Sequence, residues 1–178
     1  MFGEGNAHAE VILVGEQPGN QEDLAGHPFV GPAGKLLDKA LLAAGIARDK
    51  VYITNVVKHF NSVQRGKWRI HKKPNAEEIA ACRPWLDAEI AIIRPAVIVC
   101  LGASAAQALI SRDFRVTRQR GELQKSAFGP MITATVHPSS ILRAPDDEAR
   151  HLQMREFVAD LKKIARALPD SALIKGSS

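Results

Sequence analysis

The side chains best equipped for chemistry in this chain fall in five short clusters. Glu16 and Gln17 sit in the turn Gly15-Glu16-Gln17-Pro18-Gly19, and Phe29 sits in a proline-flanked loop. Asn55 closes an apolar run, His71 lies in the basic segment Arg65-Gly66-Lys67-Trp68-Arg69-Ile70-His71-Lys72-Lys73, and His137 precedes Pro138. A neutral imidazole, with an unperturbed pKa of roughly 6.5, is a competent nucleophile or base near neutral pH. A lone histidine in an exposed loop is equally at home as a surface residue. His137 is either a structural hydrogen bonder or a donor to an oxygen that gains charge as a group departs. The Asn55 amide either caps a turn or offers donor and acceptor to a base edge. Phe29 is either a core plug or a stacking surface for a base. A glycine-rich turn after a strand, as at Gly15–Gly19, often cradles phosphate.

Charge adds a partner class. From Lys58 to Lys73 there are six Lys/Arg, two His and no acid, within a chain of net charge +5. Such a block favours a polyanion, because each phosphate neutralised releases condensed counterions. A solvated basic loop is the competing reading on charge alone.

The elements that must position these residues alternate. Apolar runs at residues 10–15, 51–55, 96–101 and 131–136 read as buried strands. Helical spacing covers residues 33–44, with Gly45 as its stop. Asn75 with Glu78 forms a capping-box variant opening a helix with Ile79, Cys82, Leu86, Ile90 and Ile93 on one face. Further helices are expected at 103–110 and 147–168, whereas 16–32 is too rich in Gly and Pro for regular structure. The fold class expected is α/β: a central four-stranded, mainly parallel sheet flanked by helices in three layers. One domain spans residues 1–168, followed by a flexible tail over 169–178. Ligands of such folds bind at the carboxyl ends of the strands. Here those ends are Glu16 and Gln17, Asn55, the Gly102 turn and His137. Three of the four carry polar groups able to hydrogen-bond a planar heterocycle.

Several function classes drop out. No G-x-G-x-x-G is present, so the dinucleotide fingerprint fails. Gly31-Pro32-Ala33-Gly34-Lys35 is not a phosphate loop either, because Phe29 and Leu36 stand where glycine and Ser/Thr are required. The apolar runs are too short to cross a bilayer, and no secretion signal opens the sequence, so a cytoplasmic monomer is expected. Cys82 and Cys100 alone cannot complete a four-ligand metal site, and each sits in an apolar pattern.

Seven segments in order carry a family resemblance: Gly15-Glu16-Gln17-Pro18-Gly19, Glu22-Asp23-Leu24-Ala25-Gly26, Pro28-Phe29-Val30-Gly31-Pro32-Ala33-Gly34, Thr54-Asn55, Arg69-Ile70-His71-Lys72, Cys82-Arg83-Pro84-Trp85-Leu86 and His137-Pro138-Ser139-Ser140-Ile141-Leu142-Arg143. Together they resemble the uracil-DNA glycosylase superfamily, and within it the iron–sulfur branch that includes the DNA-crosslinking family-X enzymes. Gln17 with Arg69-Ile70-His71 points to the crosslinking type. The resemblance implies that Glu16 and Gln17 line the cleavage site, with Gly15 and Asn20 beside the uracil. Phe29 would stack on the flipped base, Asn55 would read its edge, and His137 would stabilise the departing uracil anion. Asp23 and Ser139 would support these groups, while Lys67, Trp68, Arg69, Lys72, Lys73 and Arg143 would hold DNA. His71 would attack the sugar C1′, joining protein to DNA. Effective molarities of about 10⁵ M or more for well-placed groups let an imidazole outcompete water. Uracil-containing DNA is the expected partner, single-stranded by preference because flipping is cheapest there. The rival expectations are a turnover glycosylase leaving abasic sites and a non-catalytic uracil or single-strand DNA binder.

Three departures from the family pattern stand out. Asn20 replaces an expected aspartate, and Trp68 interrupts a basic run. The resemblance also implies a [4Fe–4S] cluster held by an N-terminal Cys-x-x-Cys with Cys82 and Cys100. This chain opens at Phe2-Gly3-Glu4-Gly5, just after the place of that first pair. The expectation is a truncated N-terminus or misassigned start, with a cluster-free variant as the alternative.

Overall fold

The structure, a computed structural model, describes residues 1–174. In chain order its elements are β1 (Glu4–Gly5), β2 (Val11–Gly15), α1 (Asn20–Ala25), α2 (Pro32–Ala44), β3 (Val51–Asn55), β4 (Ser62–Arg65), β5 (Trp68–His71), α3 (Ala76–Ile93), β6 (Val97–Leu101), α4 (Ala103–Leu109), α5 (Val116–Gln119), β7 (Gln124–Lys125), β8 (Met131–Thr135), α6 (Pro138–Leu142) and α7 (Asp147–Ala165). The four expected strands form the parallel heart of the sheet, in the order β3-β2-β6-β8. Two-residue strands β1 and β7 extend it antiparallel at either edge, making six.

Every residue of β2 and β6 is buried, which is why both read as unbroken apolar runs. Alternate side chains serve opposite faces. Val11 and Leu13 pack with Leu37 and Leu41 of α2 and with Phe157 and Leu161 of α7. Ile12 and Val14 pack with Leu86 and Ile90 of α3 and with Ala105 and Ala106 of α4. Register then aligns the strand ends: Gly15 lies opposite Asn55, and Leu101 opposite Thr135. The four following loops therefore emerge along one edge.

The capping box of α3 forms as expected, with Asn75 accepting from the Glu78 N–H and Glu78 accepting from the Asn75 N–H, each at 2.8 Å. Other expectations need correction. Residues 16–32 contain a helix after all, because Gly19 and Gly26 are the caps of α1 rather than breaks in it. Gly26 takes the left-handed conformation, φ 74°, and donates to the Glu22 carbonyl. The basic segment is a β-hairpin, β4 paired with β5, whose two-residue turn Gly66-Lys67 places Gly66 at φ 60°. Val63 and Ile70 face solvent there, so no alternation of buried and polar positions announces it. The last helix ends at Ala165, and the tail expected from Pro169 is packed as far as Ile174. Ala172 is fully buried, and Ile174 N–H donates to the Gly45 carbonyl at 2.8 Å. The rest of that tail lies outside the described residues. Among the described residues no helix is long and apolar enough to cross a membrane.

Lys58 does not belong to the basic surface. It is buried against Glu89, donating to its Oε2 at 2.5 Å, to Thr54 Oγ1 at 2.7 Å and to the Asn55 carbonyl at 2.9 Å. Glu89 also accepts from Gly3 N–H, Tyr52 and Thr54. A buried pair is costly to break on one side only, because the remaining charge keeps its desolvation penalty without its partner. Glu89→Leu is therefore expected to lower unfolding free energy by about 3–5 kcal/mol, with Lys58→Met/Glu89→Leu recovering most of the loss, as read by urea denaturation.

Candidate active site

A cleft of about 740 Å³ opens above the aligned strand ends. It is lined by Glu16, Gln17, Asn20, Phe29, His71, His137, Ser139 and Arg143, among others. Glu16 and Gln17 enter it directly from β2, His71 ends β5, and His137 follows β8 as the N-cap of α6.

The floor is set by glycines. A Cβ on Gly15 would stand 2.3 Å from Asn55 Oδ1 and 3.4 Å from Phe29 Cζ, so both side chains close over this position. A Cβ on Gly34 would lie 1.7 Å from the Phe29 carbonyl oxygen. Only glycine lets the start of α2 approach the Phe29 backbone this closely, and Phe29 itself is held at φ 56°. Its ring lies near-parallel to His137, centroids 5.7 Å apart and planes at 29°. Phe29 both lines the cleft and packs on the core. Asn55 is largely buried, with its Oδ1 against Gly15 beside the Phe29 ring, and among the described residues its side-chain amide makes no hydrogen bond.

His137 is prepared as a neutral donor. Ser139 supplies its backbone N–H at 3.2 Å and its hydroxyl at 2.8 Å to Nδ1, which places the ring proton on Nε2. Burial pushes its pKa down to about 4, opposed by the Glu16 carboxylate and reinforced by Arg143 and His71. The ring is mostly enclosed by protein, with one edge open to the cleft.

His71 is brought to the same cleft by the hairpin, its Nε2 2.9 Å from Glu16 Oε1. Two anchors hold the hairpin. Gln17, expected in the site itself, spends its side chain on backbone: it donates to the carbonyls of Asn61 at 3.1 Å and Lys72 at 3.3 Å, and accepts from Asn61 N–H at 3.3 Å. Asp23, expected as a support, accepts from Arg69 at 2.5 Å and from Phe60 N–H at 3.2 Å. The Arg69 guanidinium and the Phe60 N–H hold its carboxyl below the usual range, although burial pulls it upward. Arg69 also lies over the Phe60 ring, 4.9 Å from its centroid. Of the expected DNA-holding residues, Arg69 is therefore committed to the protein, whereas Lys67, Trp68, Lys72 and Lys73 are exposed and Arg143 lines the cleft. Asn61 and Phe60, the receiving ends of both anchors, carry no chemistry in their residue types and are invisible as site residues in the sequence. Asn20 sits at the start of α1 with its Oδ1 buried and without a hydrogen-bond partner, which leaves an acceptor beside the cleft.

Cys82 and Cys100, expected as two of four cluster ligands, both lie on the α3–α4 side of the core. Cys100 is wholly enclosed there, and burial raises its thiol pKa. Cys82 accepts a hydrogen bond from Lys58 N–H at 3.4 Å. Among the described residues no three His, Cys, Asp or Glu converge as a metal site.

Comparison with known proteins follows the same lines. Residues 2–162 match the Uracil DNA glycosylase superfamily. The chain is 41% identical over 158 residues to a Type-4 uracil-DNA glycosylase of Thermotoga maritima, covering 88% of this chain and 79% of that one. It is 40% identical over 170 residues to the Type-4 enzyme of Archaeoglobus fulgidus, covering 91% and 78%. A Type-5 uracil-DNA glycosylase of Pyrobaculum aerophilum shares 32% over 157 residues, covering 77% and 64%.

The depressed pKa of His137 has a consequence for stability. Unfolded, the ring takes up a proton near pH 6.5; folded, only near 4. Stability from this group is complete above 6.5 and is lost as pH falls through 4. His137→Gln is expected to flatten the decline in Tm between pH 6.5 and 4, read by thermal denaturation across that window.

Proposed function

Since the chain belongs to the uracil-DNA glycosylase superfamily, we propose that it excises uracil from DNA, by preference single-stranded, and is then captured on the sugar through His71. The observation that carries this reading is the His71–Glu16 contact at 2.9 Å, in the cleft that also holds His137 and Phe29.

In the proposed reaction the C1′–N1 bond breaks and its electron pair leaves on uracil. The Nε2–H of His137 hydrogen-bonds the uracil oxygen on which charge develops, a role suited to an imidazole that stays neutral over the physiological range. The Phe29 face stacks on the base, and the Asn20 Oδ1 acceptor meets a base N–H. The sugar cation then takes one of two electron pairs. A water can add, its proton passing to Glu16. Alternatively, a ring nitrogen of His71 bonds C1′, and the N–H proton of its other nitrogen passes to Glu16 or water. Exposed Trp68 at the hairpin turn offers a stacking face to a neighbouring base, which an unpaired strand presents at least cost.

The second reading is a turnover glycosylase, in which water alone is the acceptor; the relatives named Type-4 uracil-DNA glycosylase are compatible with either. One gel distinguishes them. After incubation with a uracil-containing single-stranded oligonucleotide, a boiling-resistant shifted band is expected, and His71→Ala should convert it to alkali-labile cleavage. An adduct that survives in His71→Ala removes His71 as the attachment point. His137→Ala should slow uracil release by about 10²–10³-fold, as expected for loss of one oxyanion donor.

A further inference from the structure

We propose that a second cleft, on the far side of Glu16, receives the base of the nucleotide next to the uracil on the same DNA strand. This rests on the glycosylase reading above. The two clefts adjoin, with Glu16 and Ser104 lining both. The second encloses about 520 Å³, in the usual range for small-ligand pockets.

Its walls differ in kind from its rim. Val56 and Val57 after β3, Ile79 of α3 and Ala108 of α4 make an apolar floor. Lys73 and Arg112 stand at the edge, both exposed and neither in an ion pair among the described residues. Arg83 also borders the cleft, but its guanidinium is occupied, bonded to Asp87 at 2.6 Å and lying 5.0 Å from the Phe128 ring centroid. Gln107 donates weakly to the Phe114 carbonyl at 3.5 Å, which leaves its Oε1 as an acceptor for a base edge.

This distribution selects a nucleotide and orients it. The Glu16 carboxylate at the inner end repels phosphates, so the backbone is held at the rim by Lys73 and Arg112. The uncharged base then faces the floor, where burial of its apolar faces is favourable. An unstacked base on a single strand already needs such a surface, and none of the lining side chains is aromatic, so retention comes from burial and not from stacking. The shared wall at Glu16 and Ser104 places the occupant next to the uracil, which favours a neighbouring nucleotide over an independent mononucleotide.

The test uses single-stranded oligonucleotides in which the base on the 5′ or the 3′ side of the uracil is replaced by an abasic residue. One of the two replacements is expected to lower single-turnover efficiency about 10-fold, through the half-saturating concentration and not the maximal rate, as loss of apolar burial would. Ala80→Trp, which fills the cleft from an exposed position on α3, should abolish that difference and leave the rate on the doubly abasic-flanked substrate unchanged. Ala108→Trp, from the opposite wall, covers the case in which the first indole swings outward. The subsite is overturned if both neighbouring bases are dispensable in the parent chain, or if discrimination persists in both variants. A binding arm uses the same set built on 2′-fluoro-2′-deoxyuridine, whose glycosidic bond resists cleavage, read by fluorescence anisotropy. Neighbour-dependent Kd values that vanish in the Trp variants, without any uracil release from the ordinary substrates, would keep the subsite and sink the glycosylase reading. Release without neighbour dependence would sink the subsite alone.

Discussion

The contact on which the site depends is the one between the Gln17 side chain and the backbone of the hairpin. Gln17 follows β2, whose five residues are all buried, so its own position is fixed by the centre of the sheet. Its amide meets the hairpin at both entrances, bonding Asn61 through N–H and carbonyl and Lys72 through its carbonyl. A two-stranded hairpin with largely solvent-facing side chains has no core and is marginal by itself. Its place is therefore borrowed from β2, with the Asp23–Arg69 pair as a second tether. His71 adjoins Lys72, so fixing that carbonyl fixes where the imidazole can reach.

Electrostatics divide the cleft between two histidines. His137 is enclosed, bonded by Ser139 and pressed by Arg143, all of which hold it neutral with its Nε2 proton free to donate. His71 stands half exposed against the Glu16 carboxylate. One ring is enclosed and held neutral, and the other stands against a carboxylate at 2.9 Å. Glu16 faces both, and it also bounds the second cleft, so a single carboxylate contributes to the potential in both.

Much of this was legible in the sequence, for physical reasons that differ by element. Strands buried on both faces announce themselves as continuous apolar runs, so β2, β3, β6 and β8 were readable, and with them the edge where Glu16, Gln17 and His137 gather. The Asn75–Glu78 capping box was equally plain. What escaped was structure made by tertiary contact. The hairpin buries neither Val63 nor Ile70, so it has no face for a pattern to reveal. The glycines around α1 act as caps, a role that cannot be separated from a loop by composition alone. Lys58 counted as surface charge because its partner, Glu89, lies on α3 thirty-one residues away. Gln17 was legible as a site residue, but its role as a clamp depends on Asn61, whose type signals nothing.

The contrast between a fixed backbone and a loosely held side chain bears on the proposed capture step. The hairpin is held by hydrogen bonds to half-buried or buried groups, which are expensive to leave unpaired. The His71–Glu16 contact is different: the imidazole is 54% exposed, and an ion pair or hydrogen bond at such a site is worth about 1 kcal/mol or less. An imidazole held that weakly can exchange Glu16 for another partner without disturbing the fold. In the proposed reaction the carboxylate would keep the ring aside while uracil occupies the cleft. Once the base departs, the sugar carbon gains positive character and the small energy of the Glu16 contact no longer decides the ring's position. On that proposal, whether water or imidazole wins would turn on side-chain freedom on a hairpin positioned by the Gln17 and Asp23 anchors.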